Sequence, residues 1–192
     1  PSDKPSGNQK AALVIRDNWR HRHDIEHAYL DAINQAKSEI IIANAYFLPG
    51  RKFSHALKNA ARRGVRVELL LQGRIEYFLQ HHATLALYEN LSKAGVIIYE
   101  YNRSYLHAKV AVIDQYWATV GSSNIDPFSL LLAREANVII EDHRFAHQLR
   151  ASLKTAIAQE STPVTAASKH IYSWHSYILN WFSFYIVRIM QG

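Results

Sequence analysis

The stretch "LHAKVAVIDQYWATVGSSN", Leu106 to Asn124, decides how the chain is read. From Leu106 to Ile113 it has the composition of a buried strand, yet it carries a histidine and a lysine two positions apart. Strand side chains alternate between faces, so His107 and Lys109 emerge together while Leu106, Ala108 and Val110 point the other way. Asp114 opens "DQYW", which reads as a tight turn, and "ATVGSSN" then returns antiparallel. The hairpin thereby carries Ser122, Ser123 and Asn124 back to the level at which its first strand began.

Outward from this hairpin, helices and strands alternate. Toward the N-terminus, Leu13 to Ile15 reads as a short strand, followed by the polar connection "RDNWRHRHD". Ile25, Ala28, Tyr29, Ala32, Ile33 and Ala36 recur at three- and four-residue steps, the spacing of an amphipathic helix. Strand "EIIIAN" comes next, then a helix carrying Phe53, Ala56, Leu57, Ala60 and Ala61 that stops at Gly64. "VRVELLL" reads as a buried strand, and a third helix with Leu87, Tyr88 and Leu91 ends near Gly95 before strand "VIIYEY". Beyond the hairpin, "EANVIIE" is a strand with Glu135 at its start, and a helix from His143 to about Ala158 closes the layer. The pattern predicts an α/β domain over residues 12–160.

The chain has 192 residues, of which 48% are apolar, enough for one domain with a proper core. Residues 1–11, opening with "PSDKPSGNQK", have a linker's composition, and a start at Pro1 is expected for a segment of a longer polypeptide. The absence of cysteine excludes disulfides, thiolate metal sites and a cysteine nucleophile. A formal charge of +6 and a pI near 9.5 favour an anionic partner without choosing among lipid, nucleic acid and phosphate esters.

The polar cluster suits attack on a phosphate ester. An imidazole serves as nucleophile or as acid and base near neutral pH, and lysine, asparagine and serine donate to oxygens that gather negative charge. A carboxylate such as Glu135 could accept the proton of the second ring nitrogen and fix the tautomer. A lone histidine is usually a satisfied core or surface residue, but the combined spacing arises by chance at roughly one in a million at average residue usage.

"HAKVAVID" followed by "GSSN" resembles the HxKxxxxD signature, with its GSxN extension, of the phospholipase D superfamily. The resemblance implies a phospholipase D-like α-β-α sandwich with a mixed central sheet. In that family His107 corresponds to a catalytic histidine, Lys109 and Asn124 hold phosphate oxygens, and Ser122 supports them. Asp114, the motif's last residue, is usually structural there, and Glu135 occupies the place of a carboxylate that hydrogen-bonds the histidine. "ANAYFLPG", "ALKNAARRGVRVELLLQG" and "DQYWATVGSSNIDPFSL" extend the similarity to the C-terminal half of bacterial cardiolipin synthases.

This resemblance implies phosphatidyl transfer between two phosphatidylglycerol molecules through a phosphohistidine, releasing glycerol, with neither metal nor other cofactor, at the surface of a bacterial cell membrane. Within it, Tyr46 and Phe47 line the site, although both read equally as strand-end core residues, and Arg103 is the basic residue best placed for an anionic headgroup. "RIEYFLQHHATLA" matches the family least and reads as a variable loop.

The family builds one site from two motifs, whereas this chain has one. In-line displacement places nucleophile and general acid on opposite faces of phosphorus, so the second motif is expected in another half of the polypeptide or in a twofold-related copy. His107 then serves as nucleophile or as general acid and base. Two competing readings are a homodimeric phosphodiesterase or nuclease and a noncatalytic membrane- or partner-binding half; nucleic acid is not the expected partner.

Residues 168–192, including "HIYSWHSYILNWFSFYIVRIMQG", are a separate unit. Trp174, Ile178, Trp181, Phe182, Tyr185 and Ile189 share one helical side beside a narrow polar stripe. Their aromatic content predicts a helix lying at an anionic membrane surface, with packing against another protein half as the alternative. His21 to His23 and His81–His82 lack the partners of a recognised metal site.

Overall fold

A computed structural model describes residues 7–73 and 87–164. The linker-like residues 1–6, the expected loop from Arg74 to Ala86 and the expected helix at 168–192 lie outside the described residues.

The strands are β1 (Lys10–Arg16), β2 (Glu39–Asn44), β3 (Arg66–Gln72), β4 (Ile97–Tyr101), β5 (Lys109–Ile113), β6 (Trp117–Gly121), β7 (Glu135–Glu141) and β8 (Ser161–Pro163). The helices are α1 (Asp24–Gln35), α2 (Arg51–Arg62), α3 (helical at residues 87–92), α4 (Pro127–Leu131) and α5 (His143–Glu160). All eight strands form one sheet in the order β1-β7-β6-β5-β2-β3-β4-β8. The steps β2-β3-β4 are parallel and the others antiparallel, giving the mixed sheet that the family resemblance implies.

Every residue of β2 is buried, because this strand lies at the centre with helices on both faces. Ile40 and Ile42 join Ile25, Tyr29 and Ile33 of α1 and Phe53 and Leu57 of α2 in one core layer. Ile41 and Ala43 face the other way and pack with Val112, Ala146 and Leu153 beneath α5. Gly64 and Gly95, at φ +89° and +94°, supply the left-handed residues that let α2 and α3 stop and turn into β3 and β4. An ion-pair network fastens α5: Glu39 and Glu68, both buried, receive Arg150 and Lys154 from the helix, and Arg66 bonds Glu68 at 2.7 Å.

Three boundaries differ from the sequence reading. Lys10 and Ala11, expected within the linker, are strand residues opposite Glu141 and Ile140. β8 lies just beyond the expected domain end at residue 160, where its three residues pair with β4. Its shortness and Pro163 hid it, and both suit an edge strand. The five-residue α4 is too brief to display a period, although Asp126 caps it, accepting the Ser129 N–H at 3.0 Å, and Pro127 begins it.

The hairpin turn stores strain. Asp114 and Gln115 both have left-handed backbone, with φ of 51° and 55°. That region suits glycine and costs a glutamine about 1 kcal/mol. Gln115→Gly should therefore raise stability by about 0.5–1 kcal/mol, read as a higher urea midpoint with an unchanged slope.

Candidate active site

The site forms where β5 begins and β6 ends. Ala111 and Ile113 belong to the α1/α2 core, whereas Leu106, Ala108, Val110 and Val112 pack on the α5 side. Lys109 shares the parity of Ala111, so its side chain leaves on the α1/α2 face. The Ala45 N–H donates to Ala108 O at 3.0 Å, which continues the β2-β5 pairing one step before the strand proper. His107 sits in this extended lead-in and is exposed.

Lys109 is 7% exposed, and its ammonium donates to the His107 carbonyl at 3.2 Å. Burial pulls its pKa down, and the carboxylates of Glu135 and Asp126 partly offset that pull. Asp126 is itself pushed up by burial, against the Ser129 hydrogen bonds and the charge of Lys109.

The "GSSN" turn is held by amides from three other segments. Asn137 Oδ1 on β7 accepts the Ser123 N–H at 3.3 Å, and Asn44 Oδ1 at the end of β2 accepts the Ile125 N–H at 3.2 Å. Asn124 Oδ1 accepts the Tyr46 N–H at 3.4 Å, and the Leu48 N–H donates to Ile125 O at 2.7 Å. Neither Asn44 nor Asn137 belongs to the motif. Their signal was a solitary asparagine within "EIIIAN" and "EANVIIE", where a buried polar group requires a specific partner. The same geometry explains Gly121: a Cβ there would fall 2.1 Å from Asn137 Oδ1 and 2.5 Å from Ala136 O.

The structure thus brings Lys109, Ser122, Asn124 and Glu135 to one end of the sheet, where the exposed His107 precedes β5. Glu135 does not take the expected histidine as partner; its carboxylate accepts the Ser122 hydroxyl. β7 reaches β5 only across β6, and Ser122 stands at the end of that intervening strand. Asp114 is not brought to the cluster. At the opposite end of β5 it accepts the N–H groups of Lys37, Ser38 and Glu39 and the Ser38 hydroxyl at 2.7–3.0 Å. It fastens the α1-β2 connection to the hairpin.

Of the expected substrate contacts, Tyr46 is stitched to the turn through its backbone. Phe47 is 3% exposed within the core, where it cannot line a pocket. Arg103 ion-pairs with Glu160 at the margin of β4, with β3 and β2 between that strand and β5.

Burial pushes the Asp114 pKa up, but its four donors outweigh that and hold it below the usual carboxylate value. A depressed folded-state pKa contributes stability above the unfolded value and loses it as pH falls through the folded one. Asp114→Asn should cost about 1–3 kcal/mol at pH 7, with the gap to the native chain narrowing below about pH 4 in urea titrations.

Residues 29–157 match the family model described as "Cardiolipin synthase, PLD-like domain". Cardiolipin synthase B of Escherichia coli strain K12 is 45% identical over 186 residues, 97% of this chain and 45% of that protein, so the chain spans less than half the length of this relative. Among solved structures, the phospholipase D family member Nuc from Salmonella typhimurium superposes with a TM-score of 0.70 at 19% identity, covering 83% of this chain and 100% of that one. Phosphatidylserine synthase from Haemophilus influenzae Rd KW20 gives 0.69 at 13% identity, covering 95% of this chain and 46% of that one. These two share the fold. With a matching model over residues 29–157, about two thirds of its length, the chain belongs to the cardiolipin synthase family of phospholipase D-like domains.

Proposed function

We propose that this chain supplies one of two motif-bearing halves of a cardiolipin synthase, a phosphatidyltransferase working at the bacterial membrane. The observation that carries the reading is that the buried Lys109 and the exposed His107 lie at the start of β5, at the sheet end where β6 delivers Ser122 and Asn124. The likeness to Escherichia coli cardiolipin synthase B supports it.

In this reading Lys109 and Asn124 donate to the nonbridging oxygens of a phosphatidylglycerol phosphate, and their charge and dipole match the negative charge that grows there in the transition state. A histidine nitrogen attacks phosphorus, a P–N bond forms, and the bond to the headgroup oxygen breaks. The departing glycerol takes a proton from the second histidine across the phosphorus. A hydroxyl of a second phosphatidylglycerol then attacks the phosphohistidine, returning its proton to that second histidine as the P–N bond breaks, which gives cardiolipin. His107 fills one of these two roles, and the other half or a second copy supplies the partner. Glu135 acts as a positioning residue through Ser122.

The test is to combine the chain with its complementary half and follow phosphatidylglycerol. Cardiolipin and glycerol should appear in equal amounts. Phosphatidic acid in place of cardiolipin would make the chain part of a hydrolase. Plasmid cleavage by the chain alone, without lipid turnover, would support the nuclease reading instead.

A further inference from the structure

The two ends of the sheet are unlike. At the end holding Asp114 the connections are short, as at residues 36–38, 63–65 and 114–116. At the site end they are longer: 17–23, 45–50, 102–108 and 122–134. Outside the strands, the large apolar side chains most exposed to water follow the same division; within them, Leu13 in the middle of β1 is 68% exposed. Trp19 is 84% exposed, Phe128 67%, Leu132 62% and Tyr105 59%, and all four lie in the site-end connections. At the opposite end the exposed large apolar side chain among the described residues is Tyr116, whose ring packs at a tilt against His143. Arg16 ties two of the site-end connections together, since its guanidinium donates to Leu131 O, Ala133 O and Asn18 Oδ1.

Exposed cations stand among these apolar groups: Arg20 and Arg22 beside Trp19, Arg51 and Lys52 at the start of α2, and Arg134 beside α4. Among the described residues, acids at this end are engaged locally. Asp17 accepts the N–H groups of Trp19 and His21, while Asp24 pairs with His21 and Glu26 with His23. Apolar and aromatic tips interspersed with exposed cations are the composition of a surface that enters an anionic bilayer to headgroup depth.

We propose that the site end of the sheet is itself a membrane-docking face, on which Trp19, Phe128 and Leu132 enter an anionic phospholipid surface and hold the mouth of the site against it. The proposal rests on the reading of the chain as a phospholipid enzyme and adds an orientation: strands upright to the bilayer, site end down, Asp114 end in water. Lipids then reach Lys109 without leaving the surface, their phosphates already at the level of the site.

Because the chain has no cysteine, single labels can be placed directly. An environment-sensitive dye on Trp19→Cys, Phe128→Cys or Leu132→Cys should brighten several-fold with vesicles of phosphatidylglycerol and phosphatidylcholine, less with phosphatidylcholine alone, and less in high salt. The same dye on Tyr116→Cys should stay unchanged. In the unlabelled chain, Phe128→Ser with Leu132→Ser should weaken partitioning about tenfold or more, with an unchanged melting temperature. Equal responses at all four positions, or none with bound vesicles, would overturn the proposal. So would dye responses produced by the complementary half without lipid, which would make this end a protein interface. Labels that respond in a chain unable to transfer phosphatidyl groups would keep the docking face and refute the reaction.

Discussion

His107→Ala should leave the fold intact and abolish phosphatidyl transfer. The ring is exposed and hydrogen-bonds to no described residue, so the change in stability should stay within about 0.5 kcal/mol. In the enzyme carrying both halves, kcat should fall by about 10⁴-fold or more, because whichever role His107 plays, no neighbouring group can replace an imidazole at that position. Cardiolipin formation measured beside an unchanged denaturation curve is the decisive pair of observations. Near-normal synthesis in that variant would falsify the assignment.

Gly121→Ala should have the opposite profile, damaging the fold and the site together. Its methyl group would arrive 2.1 Å from Asn137 Oδ1, and the asparagine is hemmed in: its Nδ2 donates to Thr119 Oγ1 at 3.2 Å and its Oδ1 holds Ser123. Moving it breaks both bonds inside a buried layer and releases the turn that presents Ser122 and Asn124. The expected cost is about 2–4 kcal/mol, combining overpacking with buried groups left unpaired. Inorganic phosphate should also bind more weakly to the folded fraction. Gly121→Ala that melts normally and binds phosphate normally would show that β7 yields freely at this point.

The architecture was legible because the chain punctuates itself. Apolar residues at helical spacing in α1 and α2, the stops at Gly64 and Gly95, and the fully apolar centre of β2 each follow from local chemistry, so the alternation could be read before any contact was known. The cluster was legible for a similar reason, since strand parity and one turn suffice to place Lys109 beside Ser122 and Asn124. What could not be read were relations between strands distant in sequence. Nothing in "EANVIIE" says that Asn137 lies against Gly121, because that depends on the register of β6 with β7. Glu135 was tied to the histidine by resemblance, while the actual strand order set it beside Ser122. Phe47 illustrates a limit of another kind: a side chain near a strand end can turn into the core or out toward solvent, and the choice is made by Ile125 pairing alongside it.

The placement of β1 carries a consequence for how the protein is made. Within this domain the strand is synthesised before every other strand, yet its sheet partner is β7, with nearly the whole domain between them. Until β7 is synthesised, Leu13 and Ile15 have no sheet to join, and Arg16 has no loop to clamp. Bringing such distant segments together is the slow, entropically costly step of folding. The β5-β6 hairpin, by contrast, forms from adjacent residues. Lys109, Ser122 and Asn124 can therefore meet early, while Glu135 is locked in place only when β1 returns across the domain to close the sheet.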